Sequence, residues 1–321
     1  MKVLALLLSS ASLVLAVSRT SPPTGCLHVA KSGGQYTTVQ SAINSLSTTS
    51  TSDQCVFINK GTYTEQVYIP KRAAKLTVYG YTTDSTSYAG NAAIITYSLS
   101  AAAAGSNDLS STLRVWAANV KVYVIGQGSQ ALALSAQADG GYYGCQFYGF
   151  QDTVLANEGK QYYSKCLITG ATDFIFGQRA QAWFEACDIR VRSGGYYITA
   201  SGRDSSTNLS YYLFNRCDVA AATGESVSSG QYYLGRPWRT YARVVFQSTS
   251  LSSVINGAGW HDWNGDTDVA NIYYAEYANT GSGASGTRVS WSKKLSASVS
   301  ATTVLGSGYT SGGWFDASYP S

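Results

Sequence analysis

The chain is predicted to fold as an all-β solenoid of stacked parallel coils, and three sets of repeated residues carry that prediction. Cys145, Cys166 and Cys187 stand 21 residues apart, and one more step back reaches Val124 in the apolar run Val122-Tyr123-Val124-Ile125. Gly128, Gly149 and Gly170 recur at the same spacing. So do Gln130 with Gln151, and Asp152 with Asp173. A fixed period near twenty residues, with strand-like apolar segments and turn residues between, is the pattern of coils stacked in register. Parallel neighbours lie about 4.8 Å apart, so two amides and two carboxylates are expected one above another on one wall.

Composition agrees with a large β-rich core. The chain has 321 residues, 45% of them hydrophobic and only 12% charged. A solenoid can use that length as one domain. The formal net charge of +4 is mild and the basic residues are scattered, so nucleic acid is not an expected partner, whereas an acidic polymer is tolerated. Lys2, the apolar stretch up to Val17, and the small residues around Ala16-Val17-Ser18 read as a secretory signal over residues 1–18. Residues 19–321 are then one secreted, extracellular domain, expected to act as a monomer. No long apolar run follows that could span a membrane. Six cysteines allow fifteen pairings. The 21-residue column implies an internal stack for three of them, and Cys26 with Cys55 is the expected conventional pair, with the full pairing left open. Asn208-Leu209-Ser210 is a sequon for N-glycosylation in a polar loop.

Taken in order, Leu27-His28-Val29-Ala30 reads as a strand, with His28 an ordinary strand residue. A short helix capped by Thr37 or Thr38 follows, running through Leu46 with Val39, Ile43 and Leu46 on one face. Such a helix is expected to cover the open end of the stack. Strands at residues 56–58, 65–69 and 76–79 are expected to make one coil, with a turn at Lys60-Gly61. Residues 89–111 are Ala- and Ser-rich and are expected to form a surface excursion, with strands resuming at Leu113. Cys145 with Phe147, Cys166 with Ile168, and Cys187 with Ile189 give the alternation of half-buried strands. The interval from Cys187 to Cys217 is 30 residues, which implies an insertion of about nine containing Asn208. Arg243-Val244-Val245-Phe246 opens another coil. Past Trp263 the chain reads as loop-rich, with residues 281–286 a flexible link and the tail packed along the outside of the stack.

The polar columns are where chemistry is expected. Gln130 and Gln151 offer side-by-side amides able to donate to a developing oxyanion. Two stacked carboxylates cannot both ionise cheaply, so one of Asp152 and Asp173 is expected to keep its proton unless a cation intervenes. Amide ladders also occur merely to satisfy hydrogen bonds, but an acid ladder is repulsive and needs a reason. The run Gly259-Trp260-His261-Asp262-Trp263 supplies too few ligands for a metal and reads as packing or a cleft wall. No metal and no cofactor is expected.

Several segments resemble the pectin methylesterase family. Gly61-Thr62-Tyr63-Thr64-Glu65, Gln130-Ala131-Leu132-Ala133-Leu134, Gly149-Phe150-Gln151-Asp152-Thr153, Asp173-Phe174-Ile175-Phe176-Gly177 and Leu234-Gly235-Arg236-Pro237-Trp238 occur in the family's order, and the overall style is similar to short fungal members. Leu132 departs from the Val of many relatives without touching a chemical position. The resemblance implies a right-handed parallel β-helix and an esterase that removes methyl groups from polymeric pectin. It implies Asp173 as nucleophile, Asp152 as general acid and then base, Gln130 and Gln151 as oxyanion donors, and Arg236 as the group that keeps Asp173 ionised and contacts substrate. Trp238 and Phe176 match the aromatics on which sugar faces pack, although Phe176 also reads as core. A pectin-cleaving hydrolase or lyase on the same scaffold is one alternative; a non-catalytic wall-binding solenoid is another. Carboxylates about 4.8 Å apart leave little room for inverting hydrolysis, a calcium-dependent lyase would want more carboxylates, and a binding module has no need of a repulsive pair.

Overall fold

Period-two burial builds the coils. Strand Leu76–Gly80 alternates buried and half-buried residues along its length, and Val67–Ile69 buries Val67 and Ile69 while exposing Tyr68. The structure is a computed structural model describing residues 17–123, the backbone of 126–128, and residues 132–266 and 268–320. Its strands form three parallel sheets that run along a right-handed β-helix, each central coil adding one strand to each sheet. The first sheet begins at Leu27–Val29 and ends at Lys293–Lys294; the second runs from Gly61–Thr64 to Ser250–Leu251; the third runs from Val67–Ile69 to Tyr233–Pro237.

One corner repeats along the stack. Gly144, Lys165, Ala186, Arg216, Ser248 and Ala278 all take the left-handed backbone, with φ between 47° and 57°. Lys165, Ala186, Arg216 and Ser248 hold it because each N–H donates to a carbonyl of the next coil. The residue after each corner points inward. Cys145, Cys166, Cys187 and Cys217 therefore form one buried column of thiols, each donating from Sγ to a carbonyl of the coil before. Thr249 and Asn279 continue the column with the same kind of bond. Beside it runs an aromatic stack, Tyr142, Tyr163, Phe184, Phe214 and Phe246, with successive ring centroids 4.8, 4.5, 4.4 and 4.2 Å apart. Cys26 and Cys55 are bridged as expected, and Asp188 pairs with Asp218, the insertion read from the sequence.

Some expectations need correction. Gly128 pairs with Tyr148, not Gly149, because the coil leading to Cys145 has 20 residues where the next has 21. Val124 lies outside the described residues, as do residues 1–16 of the expected signal. Gly61–Thr64 is itself a strand, and Leu76–Gly80 opens the next coil instead of closing the first. Within residues 89–111, Ala93–Thr96 is a rung of the second sheet, followed by two single-turn helices, Ala101–Ala104 and Asn107–Ser110. Beyond Trp263, Tyr273–Tyr277 adds a further rung, and Ser282–Ala284 is a packed 3₁₀ turn with Gly283 buried, not a flexible link.

The N-terminal end of the stack and the outer face of the first sheet are covered. Helix Val39–Ser45, capped by Thr38, buries Val39, Ala42 and Ile43 against the first coils. The tail lies on the outer face of the first sheet, where Val304, Leu305 and Trp314 are buried among Tyr143, Tyr162 and Trp183. No helix among the described residues is long and apolar enough to cross a membrane.

Candidate active site

The outer face of the third sheet carries the polar columns. Gln151 bridges to Thr172, and Val154 pairs with Ile175, so the 21-residue step holds on both sides and Asp152 stands opposite Asp173. Both aspartates take left-handed backbone, φ 60° and 49°, a conformation that Asp tolerates better than most residues because its short polar side chain bonds locally. On its other side Asp173 sits in a bulge: Thr172 pairs with Tyr197 and Ile175 with Thr199, so Asp173 and Phe174 together face Ile198. A bulge re-aims the side chain it carries.

Asp173 is buried, with 6% of its surface exposed. Arg236, from strand Tyr233–Pro237 two coils further on, reaches it with two parallel bonds: Nε donates to Oδ1 at 3.0 Å and Nη2 to Oδ2 at 2.7 Å. This fork-on-fork geometry is the strongest form of a carboxylate–guanidinium contact. Burial alone lowers the Arg236 pKa, but the bonds to Asp173 and its charge outweigh burial and raise it. Asp152 is half-buried and has no such partner. Burial first, and then the charge of Asp173, push its carboxyl up to about 7, against the opposing pull of Arg236. The two carboxylates are thus electrostatically unequal, one bound to a cation and the other poised to hold a proton near neutrality.

A cavity of about 180 Å³ opens over this pair, lined by Asn107, Gln151, Asp152, Asp173, Phe176, Ala200, Trp238 and Trp263. Gln151 is exposed at its edge. Gln130 lies outside the described residues. Phe176 is buried, at 4% exposure, in an outer cluster with Leu132, Leu155 and Ala200, and its ring is tilted against Trp238 at 6.3 Å. It is therefore both packing and cavity floor. Trp238 and Trp263 also line a second cavity of about 260 Å³ with Asp204, Arg239, Asp266 and Asp268, which makes one elongated groove. Asn208 lies in the inserted loop, its Nδ2 donating to the Gln178 carbonyl at 3.0 Å and to Asp204 Oδ1 at 2.9 Å.

Sequence reasoning missed three neighbours of the site, Asn107, Tyr197 and Asn264, while Trp263 belongs to the run read as packing or a cleft wall. Asn107 comes from the stretch read as a surface excursion, which is tied down by Asp108. The Asp108 carboxylate accepts from Arg114, Trp116 and Ser135. Tyr197, Trp263 and Asn264 surround Arg236 (below). The Gly-Trp-His-Asp-Trp run was the available signal for the tryptophan, and the structure divides it: Trp260 is core, His261 packs edge-on against Tyr197 and Tyr233, and Trp263 walls the groove. Among the described residues no three His, Cys, Asp or Glu side chains are grouped so as to hold a metal ion.

A family model described as Pectinesterase matches residues 27–313. A pectinesterase of Aspergillus aculeatus is 51% identical over 317 residues, covering 95% of each chain. The crystal structure of the pectin methylesterase from Aspergillus niger superposes with a TM-score of 0.88 at 42% identity, covering 94% of this chain and all of that one. Pectin methylesterase from carrot superposes with a TM-score of 0.82 at 27% identity, over 93% of this chain and 99% of its own. With motif order, coil architecture and full-length similarity in agreement, the chain belongs to the pectinesterase family and is a carboxylic ester hydrolase.

Proposed function

We propose that this enzyme hydrolyses the methyl esters of polymeric pectin through an aspartyl acyl-enzyme, with Asp173 as nucleophile and Asp152 as acid and base. An oxygen of ionised Asp173 attacks the ester carbonyl carbon of a galacturonate unit. The oxyanion that forms takes hydrogen bonds from the Gln130 and Gln151 amides. Collapse breaks the bond to methoxide, Asp152 gives it a proton, and methanol leaves. The acyl group is now on Asp173. Asp152, deprotonated by that step, takes a proton from water as the oxygen attacks the acyl carbon; Asp173 departs as carboxylate, the galacturonate is left as its acid, and Asp152 is again protonated. Trp238 and Phe176 offer apolar faces to the sugar rings, and Arg236 borders the reacting unit while holding Asp173.

The observation that carries this reading is the asymmetry of the pair. Asp173 has two charge-assisted bonds from Arg236, while Asp152, with a pKa raised to about 7, has none. A nucleophile that must be ionised and an acid that must be protonated are thereby available at the same pH. Residues 1–18 act in this reading as a secretory signal, and residues 19–321 work outside the cell as a single monomeric catalytic domain. Asn208 is the glycosylation acceptor, where a glycan on Nδ2 leaves one of its two present donors.

The test is methanol release from highly methylated pectin, with reducing ends followed in parallel. Wild-type protein releases methanol without new reducing ends or unsaturated products. Asp173→Asn and Asp173→Ala remain folded and lose about 10³-fold or more of the rate. Near-normal turnover by either variant would remove Asp173 from the mechanism.

A further inference from the structure

The guanidinium of Arg236 is enclosed by protein on both faces. Along its edge lie the two bonds to Asp173, and Nη1 donates to Asn264 Oδ1 at 3.1 Å. Above and below lie the rings of Tyr197 and Trp263, each with its centroid 4.2 Å from the Arg236 Cζ. Both jaws are rigid for local reasons. Tyr197 opens strand Tyr197–Ser201, pairs with Tyr233, and has His261 edge-on against it at 5.4 Å. Trp263 and Asp266 flank the two-residue turn Asn264-Gly265, and the Asp266 N–H donates to the Trp263 carbonyl at 3.0 Å. Asn264 and Gly265 have φ 54° and 87°, the left-handed pair that makes Asn-Gly the favoured sequence of such a turn. Asp262 Oδ1 accepts from the Gly265 N–H at 2.8 Å and closes the base.

A guanidinium between two aromatic faces is attracted to both and loses water from both, which favours a single orientation of its planar fork. We infer that Tyr197, with the Trp263-Asn264 turn opposite, is a positioning clamp that holds Arg236 in the plane of the Asp173 carboxylate. Tyr197 touches the Arg236 guanidinium and is not among the residues lining the cavity over the carboxylates, which fits a role exerted through Arg236. Trp263 does line it and serves both purposes. The inference rests on the reading of Asp173 as nucleophile.

The clamp is tested with Tyr197→Leu, which removes the ring, beside Tyr197→Phe, which keeps it. Leu is expected to lower kcat roughly tenfold or more with KM within about twofold, while Phe stays within about threefold of wild type. The basic limb of the pH profile of kcat/KM, governed by Asp152, provides a second readout. The charged groups facing Asp152 are Asp173 and Arg236; Tyr197, Tyr233 and His261 lie behind the arginine, and Tyr274 lies near the ion pair. An Arg236 free to turn away opposes the rise of the Asp152 pKa less, so the limb moves to higher pH in Tyr197→Leu. Asn264→Ala, which loosens the other jaw from an exposed turn, is expected to do the same to a smaller degree and covers the case in which Tyr197→Leu does not fold. Wild-type kcat and an unmoved limb in the folded variants, or equal damage from Leu and Phe, would overturn the clamp. Asp173→Asn run alongside separates the failures: an inactive Asp173→Asn with a normal Tyr197→Leu sinks the clamp alone, whereas an active Asp173→Asn sinks the nucleophile reading.

Discussion

Gly235 and Thr199 meet with no room between them: a Cβ on Gly235 would lie 2.0 Å from Thr199 Oγ1 and 2.9 Å from the Thr199 carbonyl oxygen. Thr199 Oγ1 in turn donates to the Leu234 carbonyl at 2.9 Å, and Thr199 is fully buried. This contact sets how closely the strand bearing Arg236 approaches the strand bearing Tyr197 and Ala200. Gly235→Ala is therefore expected to push strand Tyr233–Pro237 outward and lengthen the Arg236–Asp173 bonds. Overpacking of this kind destabilises by about 1–3 kcal/mol. Methanol release should fall by more than the loss of folded protein explains, which thermal unfolding and kcat measured on the same preparation will separate.

Asp152 gives a pH prediction with a defined sign. Its carboxyl is raised from the ordinary range to about 7, by burial first and by Asp173 second. As the acid of the first step it must be protonated, so kcat/KM is expected to fall as pH rises through about 7. The same shift acts on stability. A carboxyl whose pKa is higher in the folded than in the unfolded state contributes stability that is complete below the unfolded pKa of about 3.9. That contribution is lost as pH rises toward the folded value. Asp152→Asn removes this dependence, so its melting temperature should gain on wild type from pH 4 to 7 and keep a constant lead above. A difference that stays flat across that window would show that Asp152 is not shifted.

The coil architecture was legible because the Cys and Asp columns keep one period across two successive coils. The slip at Gly128 was not. A coil one residue shorter changes only a turn, and the apolar alternation of the strands on either side reads the same at 20 as at 21. The two aspartates, Gln151 and Arg236 were legible as motif residues, and the 21-residue ladder alone makes Asp152 and Asp173 neighbours. The surroundings of Arg236 were not legible. Tyr197 and Asn264 reach it from different coils through a strand register and a turn, and neither has a sequence neighbour that announces the contact. Residues 89–111 misled because low complexity suggested an unanchored excursion, whereas the single carboxylate of Asp108 ties them to the third sheet through Arg114 and Ser135.

The aromatic stack should matter for stability and not for turnover. Phe184 is fully buried, with Tyr163 and Phe214 parallel to it at 4.5 and 4.4 Å. Phe184→Ala leaves a cavity inside the helix and is expected to cost about 3–5 kcal/mol. Strand Gln181–Glu185 lies in the first sheet, away from the outer wall that carries Asp173. Denaturant unfolding should register the full loss, while kcat below the new midpoint stays near wild type. A fall in kcat at temperatures where the variant is fully folded would mean that the interior stack is coupled to the site.

The Asp108 anchor is expected to matter for stability and for substrate binding together. Asp108 accepts from Arg114 Nε and Nη2 at 3.1 and 2.6 Å, from Trp116 Nε1 at 3.2 Å and from Ser135 Oγ at 2.7 Å. It is the residue next to Asn107, which lines the cavity over the carboxylates. Asp108→Ala strands a partly buried arginine and frees the turn, so a loss of roughly 1–3 kcal/mol is expected. Because Asp152, Asp173 and Arg236 stand on other strands, the reacting groups keep their geometry. What loosens is the wall beside them. KM for methylated pectin should therefore rise several-fold, with kcat changed less than about twofold. Asp108→Asn retains an acceptor for Trp116 or Ser135 and should fall between wild type and Ala on both measures. Limited proteolysis supplies an independent check, with cleavage within residues 97–111 faster in Asp108→Ala than in wild type. Equal proteolysis and an unchanged KM would mean that the segment is held by its other contacts, such as the bonds of Gln66 Nε2 to the Leu109 and Ser111 carbonyls.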